Sequence, residues 1–101
     1  MFARLARYEI PRDRIPEAVE NFRTASEQLG ELGGMAGGYL LVDHEAGMLA
    51  TLTVWEDRNA LEASRMRAGR LRQEAVRDAG GGVTSVDEFE IAADFSAVRA
   101  D

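Results

Sequence analysis

Few side chains in this sequence are equipped for chemistry, and most of them cluster around one stretch. Trp55, the only tryptophan, ends the run Leu49-Ala50-Thr51-Leu52-Thr53-Val54-Trp55, and an Arg-rich amphipathic segment containing Arg65 follows it. An indole can stack on an aromatic ring, and the hydroxyls of Tyr8 and Tyr39 can hydrogen-bond a ligand. A guanidinium turned toward a pocket, as Arg65 could be from its place beside an apolar seam, favours an anion. The set lacks a nucleophile with an adjacent base. The chain has no Cys and 1 His, which excludes a disulfide framework and a thiolate site and argues against a multi-ligand zinc centre. The single histidine, His44, falls between Asp43 and Glu45 in a turn, where it reads as a solvated surface group.

The net charge is -6 and the isoelectric point about 4.8. Phosphate backbones and anionic membranes attract basic faces, so neither nucleic acid nor a membrane surface is expected as a partner. All 12 basic residues are Arg. Bidentate carboxylate recognition is one reading of that bias, and the composition of the coding genome is the plainer one. With 101 residues, the chain suits one domain, expected over 1–94 with a tail over 95–101. No apolar run at the start resembles a signal segment and none reaches bilayer length, so a cytoplasmic location is expected.

The elements that must position these residues follow from periodicity. Phe2 to Ile10 reads as a strand stopped by Pro11, with Phe2, Ala6 and Tyr8 on one parity and Ala3 and Leu5 on the other. Asp13 is the expected cap of a helix carrying Ile15, Ala18, Val19, Phe22, Ala25, Ser26 and Leu29 at helical spacing. Gly30, Gly33, Gly34, Gly37 and Gly38 predict a flexible connection. They leave a helix and enter a strand, the wrong order for a phosphate-cradling loop. Tyr39 to Val42 and Met48 to Trp55 predict a hairpin across Asp43 to Gly47. On its second strand Ala50, Leu52 and Val54 share one face and Thr51, Thr53 and Trp55 the other. Asp57 caps a second helix whose small-residue seam is Leu61, Ser64, Ala68, Leu71 and Ala75. Gly80 to Gly82 ends it, and Val83 to Ala93 predicts an edge strand.

The order strand, helix, strand, strand, helix, strand predicts an α+β, ferredoxin-like βαββαβ fold, with a four-stranded antiparallel sheet and two helices on one face. The other sheet face, expected to carry apolar and threonine side chains, asks for cover. A second copy of the chain is the expected cover, giving a homodimer.

Leu52-Thr53-Val54-Trp55-Glu56-Asp57 followed by Ala60-Leu61, the closing strand Glu88-Phe89-Glu90-Ile91, and the element order over nearly the whole chain resemble the dimeric α/β-barrel superfamily, in particular antibiotic biosynthesis monooxygenase-like domains. In the cofactor-independent, quinol-oxidising members a strand Trp works with an Asn on the same strand face. The Trp corresponds to Trp55, and Thr51 stands where the Asn is expected. In the heme-degrading members a helix His binds iron, whereas this chain reads Ser64-Arg65-Met66 there. The resemblance therefore implies a dimeric α/β barrel and a monooxygenase without a cofactor, acting on a small aromatic or quinol-like substrate. Trp55 would stack on that substrate, Arg65 would stabilise a phenolate, and Tyr8, Tyr39 and Thr51 would bind. The competing reading is a non-enzymatic dimeric ligand-binding or structural module, in which Trp55 is core packing at a strand end.

Overall fold

A computed structural model describes residues 1–95. The expected tail lies outside them from residue 96 onward. Strand β1 (Phe2–Glu9), helix α1 (Ile15–Gly30), strands β2 (Met35–Asp43) and β3 (Met48–Trp55), helix α2 (Arg58–Asp78) and strand β4 (Gly82–Glu90) follow one another along the chain. The strands form one antiparallel sheet in the order β2-β3-β1-β4, the ferredoxin-like arrangement.

Alternation on the central pair decides which side chains the helices cover. Phe2, Arg4, Ala6 and Tyr8 of β1 lie opposite Trp55, Thr53, Thr51 and Leu49 of β3, so these eight share the helix side. Ala6, Tyr8, Leu49 and Trp55 are fully buried there. The apolar stripe of α1 supplies Ile15, Ala18, Phe22 and Ala25, and α2 supplies Leu61, Ser64, Ala68, Ala75 and Val76. The Tyr8 and Phe22 rings meet at 4.5 Å between centroids, tilted by 44°.

The opposite side carries Leu5, Leu52 and Val54, flanked by exposed Tyr39, Leu41 and Phe89. This face is largely apolar as expected, with an Arg7–Asp87 ion pair at 3.7 Å beside Leu5. Its expected threonines are not there, because the register with β1 turns Thr51 and Thr53 toward the helices.

Three boundaries differ from the sequence expectation. Asp13 does not cap α1: Pro11 leads into a 3₁₀ turn over Arg12–Arg14, and the helix starts at Ile15 with Pro16 in its first turn, where a missing N–H is harmless. Arg14 fastens this corner, bonding Glu17 at 2.9 Å and the Asp78 carbonyl at 2.8 Å. The glycine-rich connection is shorter than its composition suggests, since β2 takes in Gly37 and Gly38. A Cβ on Gly38 would stand 2.8 Å from the Leu52 carbonyl oxygen, so glycine is what lets β2 lie against β3 there. β4 ends at Glu90, short of the expected Ala93.

A bulge interrupts the pairing of β1 with β4 between Arg7 and Tyr8, leaving Thr84 unpaired. Beyond it, Val86 lies opposite Ala6, Glu88 opposite Arg4, and Phe89 opposite Ala3. Glu88 therefore points to the helix side and Phe89 to the open side, where it is 52% exposed.

Candidate functional site

The helix side of β1 alternates an aromatic, a cation, a methyl and an aromatic: Phe2, Arg4, Ala6 and Tyr8. Each polar member has found a partner on β3 or α2. At one end the Tyr8 hydroxyl and Thr51 Oγ1 share a hydrogen bond of 2.8 Å. Burial pushes the Tyr8 phenol up to about 12, against the smaller opposing effects of the Thr51 bond and the nearby Arg72 and Arg4 charges. Tyr8 is accordingly a neutral hydroxyl at physiological pH. Around this pair Phe22, Ala25, Ser26 and Leu29 of α1 and Ala68, Leu71 and Arg72 of α2 enclose a cleft of about 20 Å³. That space holds little more than one water molecule, so an aromatic ligand enters only if the helices or the side chains at the mouth move apart.

At the other end, Arg4 is 3% exposed and every interaction it makes is internal. Nη2 donates to the Glu88 carboxylate at 2.9 Å and to the Leu61 carbonyl at 3.0 Å, Nε donates to Glu88 at 3.1 Å, and Nη1 donates to Ser64 Oγ at 3.2 Å. The Ser64 hydroxyl in turn donates a hydrogen bond to the Leu61 carbonyl at 2.7 Å. Trp55 Nε1 donates to Thr53 Oγ1 at 3.0 Å, and the Arg4 guanidinium stands 5.7 Å from the Trp55 ring. From outside, Arg65 bonds the same Glu88 carboxylate at 2.6 Å. The Arg65 bond holds the Glu88 carboxyl below its ordinary pKa, with the Arg4 bonds adding to it and partial burial opposing them.

Of the residues singled out from sequence, Tyr8 and Thr51 come together in the cleft. Trp55 lies on the same sheet side but is fully buried, with its N–H already bonded. Arg65 sits on the outer edge of α2, about half exposed, tied to Glu88. Tyr39 is on the open sheet face, opposite Leu52 and 70% exposed, so its hydroxyl does not converge with that of Tyr8 within one chain. His44 is exposed in the hairpin turn.

Arg4, Arg72 and Glu88 are not among the residues expected at the site, and Arg72, expected on a solvated helix face, is half-buried. Arg4 carried a usable signal, since it shares the parity of Ala6 and Tyr8, and a cation on a buried face needs a partner. Arg72 follows Ala68 by four residues and precedes Val76 by four, which places it beside the buried seam. Glu88 had no such signal. Among the described residues no group of three His, Asp or Glu side chains could hold a metal ion.

No family model matches the sequence. The uncharacterised protein Rv2558 of Mycobacterium tuberculosis is 34% identical over 82 residues, covering 79% of this chain and 35% of that protein. The chain spans 35% to 38% of the length of the curated relatives it matches. Solved structures overlap it almost end to end. SnoaB, a cofactor-independent oxygenase from Streptomyces nogalater, superposes with a TM-score of 0.74 at 15% identity, over 95% of this chain and 97% of that one. An antibiotic biosynthesis monooxygenase superposes with a TM-score of 0.66 at 19% identity, over 92% and 100%. The chain has the antibiotic biosynthesis monooxygenase fold. Within that fold the cleft lies between the sheet and both helices, and the apolar open face lies on the far side of the sheet. No described helix is long and apolar enough to cross a membrane.

Proposed function

We propose that this domain is a cofactor-independent monooxygenase acting on a small aromatic or quinol-like substrate in the Tyr8–Thr51 cleft. The observation that carries the reading is a neutral, buried tyrosine hydroxyl paired with a threonine hydroxyl at the floor of an apolar cleft that Arg72 borders. The fold it shares with SnoaB supports it. In a monooxygenation without a cofactor the substrate supplies the electrons: one oxygen atom of O₂ enters the substrate, and the other leaves as water with two substrate hydrogens. Tyr8 and Thr51 would bind a substrate hydroxyl, and a nearby guanidinium would favour its ionised, electron-rich form. In this reading Trp55 and Arg65 act at one remove. Trp55 packs beneath Arg4, and Arg65 holds Glu88, so both brace the strand that carries Tyr8. Tyr39 belongs to the open face. We assign that face, built on Leu5, Leu52 and Val54, to a homodimer in which a second copy covers it.

Oxygen uptake with a panel of hydroquinones tests the activity. Uptake above the protein-free rate, reduced in Tyr8→Phe by about tenfold or more, is expected. Uptake no faster than autoxidation ends the proposal. The closed cleft of about 20 Å³ favours one other reading, a non-enzymatic dimeric ligand-binding or structural module. Saturable ligand binding without oxygen uptake distinguishes the binding form of it.

A further inference from the structure

Arg4 and Arg72 both lie on the helix side of the sheet out of full contact with solvent, and their surroundings differ sharply. Arg4 is neutralised by Glu88 and also bonds Ser64 and the Leu61 carbonyl. Arg72 is half-buried at the cleft that contains Tyr8 and Thr51, and among the described residues it forms no ion pair and no side-chain hydrogen bond. Burial lowers its pKa, yet an arginine remains charged at neutral pH. A positive charge with no ion-pair partner among the described residues therefore borders an apolar cleft in a protein of net charge -6.

The local backbone leaves that charge room to turn. Gly69 lies inside α2, where glycine is less favourable than alanine. Arg72 Nη2 stands 3.6 Å from where a Gly69 Cβ would be, so the guanidinium lies back over the one position of the helix that has no side chain. A ring entering the cleft must displace side chains at its mouth, and a partner for Arg72 outside its resting place assists that displacement.

We infer that the cleft selects a ligand with a fixed negative charge, an aromatic acid such as a carboxylated phenol. Its carboxylate pairs with Arg72 while its ring enters among Phe22, Ala68 and Leu71 and its hydroxyl meets Tyr8 and Thr51. This rests on the cleft being the ligand site, and it deepens that reading by naming the ligand class.

Calorimetric titration with 2,5-dihydroxybenzoate and with hydroquinone isolates the charge, because the two probes differ by a carboxylate on the same dihydroxy ring. The wild-type protein binds the acid about tenfold or more tightly than the neutral quinol. In Arg72→Gln that preference disappears, and in Arg72→Lys part of it returns. High salt weakens binding of the acid and leaves the quinol unchanged, a measurement on the wild-type chain that stands whether or not a variant folds. Equal affinities for the two probes, or a preference that survives in Arg72→Gln, overturns the inference and leaves the proposed oxygenase intact. Binding of the acid without oxygen uptake from any hydroquinone does the reverse. No saturable binding of either probe removes both.

Discussion

Arg4 and Glu88 face each other across neighbouring strands with 2.9 Å between Nη2 and Oε2, and this ion pair joins β1 to β4 beneath α2. Burying an arginine is costly unless its charge and donors are matched. Here a carboxylate, a serine hydroxyl and a helix carbonyl match them. Glu88→Ala leaves the buried guanidinium without its counter-ion and costs about 2 kcal/mol in urea unfolding. Arg65→Ala removes only the outer partner of Glu88, at an exposed position, and is expected to shift the midpoint less.

The same carboxylate sets an acid limit. Its pKa is depressed in the folded protein by Arg65 first and Arg4 second, so the unfolded chain takes up the proton at higher pH than the folded one. The stabilisation is complete above the ordinary carboxylate pKa of 4.5 and is lost as pH falls through the lower folded value. Melting temperatures measured from pH 7 down to about pH 3 should show wild type falling toward Glu88→Gln. Parallel curves would remove the assignment.

Tyr8 sets an alkaline limit of opposite origin. Its folded pKa of about 12 lies above the usual 10.0, so above pH 10 the unfolded chain loses the proton first and stability declines as pH rises toward 12. Absorbance titration of phenolate should show one tyrosine ionising near 12, and that step should vanish in Tyr8→Phe. The same variant keeps the ring against Phe22, loses the bond to Thr51, and costs about 1 kcal/mol.

Two glycines predict opposite outcomes. At Gly69 an added Cβ meets only Arg72 Nη2, at an ordinary 3.6 Å, and Gly69→Ala should stabilise the protein by about 0.5–1 kcal/mol through helix propensity. At Gly34 the backbone φ is +77° and the Cβ would come within 2.5 Å of Ala60 Cβ. Gly34→Ala should therefore destabilise by about 2 kcal/mol or more. Denaturant midpoints of the pair check both signs.

The open face predicts an association state. Leu52→Glu places a carboxylate at the centre of that face without touching the Tyr8 side of the sheet. Sedimentation should find the wild type dimeric and this variant monomeric with an unchanged far-ultraviolet spectrum. A monomeric wild type would refute the dimer.

The sequence by itself determined the element order, the α1 stripe, the Asp57 cap, the split of β3 into a Thr51, Thr53, Trp55 face and an Ala50, Leu52, Val54 face, and most of the α2 stripe, though not its buried Val76. These features depend on spacings within one element, where a period of two or 3.6 leaves a direct mark. Tertiary structure decided the rest. Glu88 meets Arg4 across 84 positions because a bulge opposite Arg7 and Tyr8 sets the register of β4, and no local pattern records a register. Tyr39 separates from Tyr8 for the same kind of reason, since only strand pairing says which parity of β2 turns toward the helices. Arg72 and Arg65 lie seven residues apart on one helix, and helical spacing pointed to Arg65 as the one beside the seam. Packing against the sheet tied Arg65 to Glu88 at the surface and left Arg72 half-buried at the cleft.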